Sequence, residues 1–469
     1  MNDHKFSRYN LIVPDEDGNL IYNTLSGSIS KVNKHLSDNI KKKKQGFNKS
    51  FSGVLSGLGI LVDSNADELE EYRKMHRKWK SGKELAEFNM LITYDCNFAC
   101  PYCYQGRGEK GEEIHGYKSM TPEMIKTFKG FVKKTVENRE SKKMSLVLYG
   151  GEPTLMMKES METTDELADW AYDNNVGFDL QCLSNGSLIS PDFIKWASDY
   201  GMRIQIPIDG DREQHNKMRF YKDTGKGSFD DITKVLGSFK GTGVETHIRI
   251  SLTDETYPTM ERMLDQLKEK DLTHIYTDFC YITAFTDACA DYKDHVLSDA
   301  KLFDVIPSLW KESHKRGFKL DIRPTPQPLP CSSIADGSFI IDPFGDVYKC
   351  WELVGLKEHR VGKLDNESNI KKNDVYDEIL KRDPTKIKEC SKHIYLPSCG
   401  GGCVCKAYWQ NDTYNAKGCG SENFLLPHKV KLFSEFNGKD NMEYASDGYN
   451  LKVIDGKIEP KMRHCYVLV

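Results

Sequence analysis

The sequence lacks three features, and each absence argues against a class of protein. No apolar run in its 469 residues approaches the roughly 18–20 residues that a membrane-spanning helix needs, so no membrane partner is expected. The first ten residues, MNDHKFSRYN, contain no apolar core of a secretory signal. The net charge is only −4, which argues against nucleic acid as a partner. We therefore expect a cytoplasmic protein.

Cysteine is absent from the first 95 residues and abundant after them. The chain has 14 cysteines in all. Because disulfides are rare in a reducing cytosol, ligation of a metal or an iron–sulfur cluster is the expected reason, and the spacing has to decide. Three cysteines lie close together at Cys96, Cys100 and Cys103, and seven more fall between Cys331 and Cys419.

The order of apolar, periodic and cysteine-rich segments predicts three domains, 1–85, 86–320 and 321–469. In the first, strand-like segments at 9–14 and 19–24 precede stretches of helical composition. This pattern predicts a small α+β domain that resembles the winged-helix-like domains that dock a peptide. The alternative is an extension that only packs against the next domain.

Strand and helix candidates alternate through the second predicted domain. A parallel crossover needs a helix-sized connection, so six such units predict a parallel sheet that is buried on both faces. The six strand candidates are 89–94, 144–149, 178–183, 203–208, 246–251 and 274–282. The fold class is therefore α/β, and we expect a partial (β/α)6 barrel whose active site lies at the carboxyl ends of the strands.

The first cysteine cluster begins directly after the first of these strands. It reads Cys96-Asn-Phe-Ala-Cys100-Pro-Tyr-Cys103. Three thiolates leave one iron of a [4Fe–4S] cluster without a protein ligand; a zinc site is the alternative. With Tyr102 before the last cysteine, the motif resembles that of the radical S-adenosylmethionine (SAM) enzymes. The resemblance implies that SAM binds the open iron and yields a 5′-deoxyadenosyl radical, which abstracts a hydrogen atom from the substrate.

The end of the second strand strengthens this resemblance. Gly150, Gly151, Glu152 and Pro153 follow a tyrosine there and resemble the GGEP motif of the same family. Glycines allow the backbone to approach a ligand closely, and a carboxylate pairs with an ammonium group. The resemblance implies that this motif holds the amino group of SAM.

Later strand ends carry weaker matches to the same family. Ser184 and Asn185 end the third strand, where the resemblance implies contact with the SAM ribose. Arg249 lies inside the fifth strand, where an arginine needs an anion; the SAM carboxylate and a structural ion pair are the two alternatives. Asp209 follows the fourth strand, and its position makes it the predicted general base.

The cysteines of the third predicted domain resemble the SPASM extension of radical SAM enzymes, which holds two auxiliary [4Fe–4S] clusters. The family pattern is CxnGxxxxC, then CxxCxxxxxCxxxC, then a last cysteine; a zinc ribbon is the alternative. The resemblance implies these ligands: Cys331, Cys350 and Cys403 for auxiliary cluster I, and Cys390, Cys399, Cys405 and Cys419 for auxiliary cluster II.

Two positions depart from the SPASM pattern. His393 stands where the second cysteine of CxxC is expected; we expect Cys405 to replace that ligand, with His393 as the runner-up. Thr325 stands where many relatives have an extra cysteine, so one iron of auxiliary cluster I is predicted to be open to a substrate thiolate. The remaining cysteines are expected to be structural: Cys182, Cys280, Cys289 and Cys465.

Together the three predicted domains resemble the sactipeptide and ranthipeptide maturases, which form thioethers in ribosomally made precursor peptides. The resemblance implies that a leader sequence docks on residues 1–85 by adding a strand to a sheet edge. It also implies SAM and three [4Fe–4S] clusters as cofactors, a flavodoxin or ferredoxin as electron donor, and an anaerobic bacterium as the source. The alternatives are an anaerobic sulfatase-maturing enzyme that forms formylglycine, an enzyme that joins C–C or C–O bonds in a peptide, and a non-catalytic iron–sulfur scaffold.

Overall fold

The computed structural model describes most of the chain, in two compact units. The described residues are 4–42, 47–103, 105, 118–282, 292–420, 422–437, 443–446 and 449–458. The first unit comprises residues within 1–80, 322–331 and 382–464, and the second comprises residues within 81–321 and 332–381. Within these ranges, no helix has the length and apolar character to cross a membrane.

The strands and helices are numbered in chain order. The strands are β1 (His4–Phe6), β2 (Asn10–Asp15), β3 (Gly18–Asn23), β4 (Ile29–Val32), β5 (Leu61–Asp63), β6 (Ala86–Thr93), β7 (Lys143–Gly150), β8 (Gly177–Leu183), β9 (Arg203–Pro207), β10 (Glu245–Leu252), β11 (Tyr276–Tyr281), β12 (Ser338–Ile341), β13 (Asp346–Tyr348), β14 (Gly362–Leu364), β15 (Ile370–Lys372), β16 (Glu443–Ser446) and β17 (Tyr449–Asp455). The helices are α1 (Lys34–Lys41), α2 (Lys49–Gly57), α3 (Glu68–Ser81), α4 (Pro122–Arg139), α5 (Met157–Asp173), α6 (Pro191–Asp199), α7 (Arg212–Met218), α8 (Phe229–Ser238), α9 (Met260–Glu269), α10 (Asp299–Lys315), α11 (Asp374–Leu380), α12 (Lys388–Ser391), α13 (Leu396–Cys399), α14 (Val404–Asn411) and α15 (Glu422–Asn437).

A parallel sheet forms the centre of the second unit. Its strands are hydrogen-bonded in the order β11-β10-β9-β8-β7-β6, and each pairs in parallel with its neighbour in the chain. Every residue of β6 and nearly every residue of β7 is buried, as expected for strands covered on both faces. The predicted α/β fold with a central parallel sheet is confirmed, because helices connect these strands as crossovers.

The same sheet continues beyond the predicted boundary at residue 320. β12 pairs in parallel with β6, and β13, β14 and β15 follow as antiparallel strands. The Phe339 ring packs on Phe88 of β6 and against the edge of Phe131 on α4. This apolar contact holds 338–341 on the sheet, so part of the predicted third domain extends the sheet of the second.

The first unit contains an antiparallel sheet whose strands come from both ends of the chain. The strand order is β16-β17-β4-β3-β2, and β17 pairs with β4. Leu451 of β17 is 1% exposed and lies in one apolar cluster with Ile21, Val32 and Leu36. The predicted domain 1–85 therefore shares its core with residues from far along the sequence.

Short local signals set where two helices of the second unit begin. Thr121 accepts a hydrogen bond from the Met124 backbone N–H, and Ser190 accepts one from Phe193, in both cases at 3.2 Å. Both capping residues precede a proline at the first helical position. A hydroxyl cap followed by proline is a favourable helix start, because proline lacks a backbone N–H group that would otherwise be left unpaired there.

Candidate functional site

The predicted GGEP motif and the start of the first cysteine cluster are joined by backbone contacts. The Gly151 N–H donates to the Thr93 carbonyl, and the Glu152 N–H donates to the Asp95 carbonyl, each at 2.8 Å. A Cβ atom on Gly150 would lie 2.5 Å from the Thr93 oxygen, and one on Gly151 would lie 2.4 Å from the Asp95 oxygen. Only glycine permits this approach, so the two glycines fix the backbone that leads into the cysteine loop.

The Glu152 carboxylate links two of the predicted SAM-binding segments. It is completely buried and accepts hydrogen bonds from the Ser184 hydroxyl at 2.7 Å and the Asn185 N–H at 2.6 Å. Thr154 donates to it twice, from its hydroxyl at 2.5 Å and its N–H at 3.0 Å. Burial raises the pKa of Glu152, and these hydrogen bonds oppose the rise. The Asn185 side-chain amide also lies 3.8 Å from the Cys96 sulfur.

The three cysteines of the first cluster influence one another electrostatically. The Cys103 N–H donates to the Cys100 carbonyl at 3.1 Å, and Cys96 interacts with both of the other thiols. Burial raises the pKa of Cys100 to about 12 and also raises that of Cys96.

Within the described ranges, no three His, Cys, Asp or Glu side chains are arranged to hold a single metal ion. A [4Fe–4S] cluster makes a different demand, because each of its thiolates binds a different iron atom. Cys96, Cys100 and Cys103 supply three sulfur ligands within one loop, in the same electrostatic neighbourhood. Three neighbouring thiols suit a [4Fe–4S] cluster with one open iron.

A buried ion pair lies beside this loop and was not predicted from the sequence. The Arg219 Nε donates to the Asp209 carboxylate at 2.5 Å, and the Tyr102 hydroxyl donates to the same carboxylate. The Arg219 guanidinium also lies over the Tyr102 ring, 5.4 Å from its centroid, and 3.9 Å from the Cys100 sulfur. Tyr102 and Asp209, two predicted site residues, are therefore brought together next to a cluster cysteine.

These contacts bear on the predicted general base. Burial alone would raise the pKa of Asp209, but Arg219 and the hydrogen bonds from Tyr102 and Ser251 hold it below its ordinary value. The Ser251 N–H donates to the carboxylate at 2.9 Å. A carboxylate that is held ionised by three donors is a weak proton acceptor, so the geometry favours a structural ion pair. Proton abstraction by Asp209 stays a prediction.

Of two other predicted SAM-binding residues, one lies on a strand of the sheet and the other lies just after a strand. Arg249 lies on β10 and is 7% exposed, and its carbonyl accepts the Ile208 N–H at 2.9 Å. Pro153 occupies the first position of a short 3-10 helix, Pro153–Met156, that follows Glu152. Contact of either residue with SAM stays a prediction.

Five of the predicted auxiliary ligands lie in one region of the first unit. The side chains of Cys331, Cys390, Cys399 and Cys403 interact electrostatically with one buried arginine, Arg382. The Cys390 side chain also interacts with that of Cys419, which is exposed. The described part of the first unit therefore gathers ligands from both predicted auxiliary sets around one cation.

The two candidates for the missing ligand differ in burial. Cys405 is completely buried, and the Trp409 indole N–H donates to its sulfur at 3.1 Å. His393 is exposed and lies against the Tyr395 ring, with centroids 5.1 Å apart. The choice of Cys405 over His393 stays a prediction.

The other predicted cysteines are distributed over both units. Cys350 is buried in the second unit, where its side chain interacts with His359. The grouping of Cys331, Cys350 and Cys403 as ligands of auxiliary cluster I stays a prediction. Cys182 on β8 is 1% exposed, in keeping with a structural role, and Cys280 on β11 is half-buried. Cys289 and Cys465 lie outside the described residues.

The sequence analysis did not predict Arg219 and Arg382, two arginines that interact with predicted ligand cysteines. Neither belongs to a motif, and arginine is usually exposed. Arg219 follows α7 directly, and Arg382 lies two residues after α11. The one available signal was the family-like strand end at Asp209, since a buried carboxylate needs a nearby cation.

Comparison with known proteins defines the class of the second unit. Residues 90–267 match the family model described as the Radical SAM superfamily. The chain therefore carries a radical SAM domain, and this family implies SAM and a [4Fe–4S] cluster.

Individual proteins that resemble this chain share 24% or less of its sequence in the matches described here. The chain is 24% identical over 327 residues to a cysteine-type anaerobic sulfatase-maturating enzyme of Clostridium perfringens, covering 66% of this chain and 85% of the relative. The solved structure of native anSMEcpe with bound AdoMet matches 75% of this chain and all of its own, at 20% identity and a TM-score of 0.57. The structure of Streptococcus suis SuiB bound to its precursor peptide SuiA matches 89% of this chain and 99% of its own, at 13% identity and a TM-score of 0.51.

Proposed function

We propose that this chain is a radical SAM enzyme that modifies a ribosomally made precursor peptide and installs a cysteine thioether. The observation that carries the radical chemistry is the junction of the Cys96 loop with the GGEP and Ser184-Asn185 segments, at the ends of three adjacent parallel strands. When bound, the cluster and SAM supply a 5′-deoxyadenosyl radical that takes a hydrogen atom from the peptide.

The chain's own residues prepare this site in two ways. Gly150 and Gly151 leave no side chain between the GGEP backbone and the backbone that enters the cysteine loop. Glu152 connects the second strand end to the third through its hydrogen bonds with Ser184 and Asn185. A site that is fixed before its ligand binds loses less conformational entropy on binding, so these contacts favour tight, oriented binding of SAM.

The first unit offers a place for a leader peptide. β2 is an end strand of the antiparallel sheet and pairs with β3 on one side. Among the residues that the structure describes, no strand pairs with its other edge, which suits strand addition.

Thioether formation rests on the count of cluster ligands. Two auxiliary clusters with four thiolates each and one SAM cluster with three require 11 cysteines, whereas the predicted sets contain 10, with Thr325 at a position where a further ligand is expected. An iron left without a protein thiolate would be open to the thiolate of a substrate cysteine. Each crosslink would then cost the peptide two hydrogens: one atom would go to the deoxyadenosyl radical, the thiol would give up its proton, and one electron would pass to the auxiliary cluster.

Formylglycine formation is the second candidate, because the curated relative described above is a sulfatase-maturating enzyme. Both reactions start with hydrogen abstraction by the same radical. They differ in the product: one joins the cysteine sulfur to another residue, and the other removes that sulfur and leaves an aldehyde.

Three measurements separate these possibilities. The anaerobically reconstituted, reduced protein should cleave SAM to 5′-deoxyadenosine, and Cys100→Ala should not; absence of cleavage by the parent would refute the radical chemistry. Co-expression with a candidate cysteine-containing precursor peptide should give a product lighter by two hydrogens per crosslink, with the cysteine resistant to alkylation. A product that instead reacts with an aminooxy probe would establish formylglycine and refute the thioether.

A further inference from the structure

Arg382 is a fully buried arginine in the first unit, with 0% of its surface exposed. Burying a guanidinium is costly unless both its hydrogen bonds and its charge are compensated. Arginine stays charged in proteins, so neutralisation by loss of a proton offers no relief. The groups around Arg382 must therefore supply both kinds of compensation.

The hydrogen bonds are supplied by two loops. Nη1 donates to the carbonyls of Tyr414 and Ala416, the latter at 2.5 Å. Nη2 donates to the carbonyls of Gly401 and Gly402, at 2.7 and 3.3 Å. All four acceptors are neutral, so they satisfy the N–H groups without balancing the charge.

Glycine is required where the guanidinium meets the first loop. Gly401 and Gly402 have φ angles of +86° and +81°, in the left-handed region that favours glycine. A Cβ atom on Gly401 would lie 2.6 Å from the Pro384 Cβ, and one on Gly402 would lie 2.1 Å from the Gly418 oxygen. The loop can therefore present two successive carbonyls to Arg382 only because both residues are glycine.

The compensating charge is expected from sulfur. The Gly401–Gly402 carbonyls that Arg382 binds lie between Cys399 and Cys403 in the chain, and the side chains of Cys390, Cys403, Cys331 and Cys399 act electrostatically on the guanidinium. Two of these belong to the predicted set of auxiliary cluster I and two to that of cluster II. Bound to iron they are thiolates, which carry negative charge. The Arg382 Nε–H has no hydrogen-bond partner among the described residues, so one buried donor remains for a sulfur acceptor.

We propose that Arg382 is a shared positioning residue of the two auxiliary iron–sulfur clusters, holding their ligand loops together and raising their reduction potentials. The proposal rests on the auxiliary clusters of the proposed function. Reduction adds negative charge to an anionic cluster, and a fixed positive charge stabilises the reduced form more than the oxidised form. Net charge and hydrogen bonds to sulfur are the factors by which a protein tunes such potentials.

The test is a redox titration of the reconstituted full chain, followed by electron paramagnetic resonance. Replacing Cys96, Cys100 and Cys103 with alanine removes the SAM cluster, so the remaining signals come from the auxiliary clusters. In this background, Arg382→Gln should lower the reduced-to-oxidised ratio about tenfold at a fixed potential, or about 59 mV for one electron. Arg382→Lys retains the charge and should shift the ratio less than threefold. Arg77→Gln, which removes an exposed arginine of α3 in the same unit, should leave it unchanged.

Iron and sulfide contents make each outcome decisive. If Arg382→Gln keeps its auxiliary iron and has the same potential as Arg77→Gln, the proposal is wrong. If Arg382→Gln assembles no auxiliary cluster, the Arg382→Lys variant decides. Auxiliary clusters with a potential near that of the parent would support the proposal. The absence of clusters, or a reduced-to-oxidised ratio shifted tenfold or more, would overturn it. If the chain that lacks Cys96, Cys100 and Cys103 but keeps Arg382 binds no auxiliary iron, both the auxiliary clusters and the proposed role of Arg382 are refuted.

Discussion

Replacing Asp209 with asparagine is expected to destabilise the second unit, because it leaves a buried guanidinium without its counter-charge. The Asp209 side chain is completely buried, and the Arg219 side chain is 12% exposed. Removing one partner of a buried ion pair typically costs about 3–5 kcal/mol. Arg219 keeps its place over the Tyr102 ring, and such a contact contributes about 0.5–2 kcal/mol. We therefore expect a loss near the lower limit, about 3 kcal/mol.

The measurement is urea unfolding of the reduced, metal-free chain by circular dichroism, with hydrogen exchange in β9 and β10 to assign the transition to the second unit. A double-mutant cycle with Arg219→Met isolates the pair, and we expect a coupling energy of about 2 kcal/mol. The matched control is Glu213→Gln, which breaks an exposed 2.8 Å pair with Lys217 and should not move the unfolding midpoint.

The folded pKa of Asp209 also determines how the stability difference between the parent and Asp209→Asn depends on pH. The folded pKa of Asp209 lies below its ordinary value, so its contribution is complete above the ordinary carboxyl pKa of about 3.9 and disappears as the pH falls through the folded pKa. The difference between parent and Asp209→Asn should be full at pH 7 and vanish in acid. In the double-mutant cycle, the losses of unfolding free energy in Asp209→Asn and Arg219→Met could simply add in the double variant. That result would show that the ion pair does not hold this site together.

Three further predictions address other parts of the chain. Glu152→Gln replaces a carboxylate oxygen with an N–H donor that faces the hydrogen-bond donors of Ser184 and Asn185. The substitution should lower the free energy of unfolding by about 1–3 kcal/mol and weaken SAM binding in equilibrium titrations. An unchanged affinity for SAM would count against the proposed site. Burial raises the pKa of Asp342 from its ordinary 3.8 to about 7, so its contribution to stability falls as the pH rises from about 4 to 7. Asp342→Asn should flatten the pH–stability curve between pH 5 and pH 8 by about 3 kcal/mol, and parallel curves would contradict this. Leu451→Ala should cost about 2–5 kcal/mol and speed hydrogen exchange in β3 and β4, whereas an effect confined to β17 would show that the shared core is unimportant.

The central sheet was predictable because its signals are local. Buried parallel strands are short apolar runs, and glycines and capping residues mark their ends, so each strand from β6 to β11 lies where its apolar run is. The GGEP glycines were recognisable for the same reason, since close backbone approach demands glycine whatever lies elsewhere in the chain. The continuation of the sheet through β12 was not predictable, because a four-residue apolar segment does not indicate which strand it will pair with.

The sequence by itself determined the α/β class, the positions of the six parallel strands and the cysteine loop at the end of the first. These follow from side-chain periodicity and from spacing along the chain, which depend on neighbouring residues. Only the tertiary structure decided that Asp209 pairs with Arg219, that β17 pairs with β4 in the sheet that contains β2, and that Arg382 interacts with four cysteines. Such pairings depend on which buried surfaces meet when the chain folds, because a buried charge must find its partner wherever the backbone brings one close.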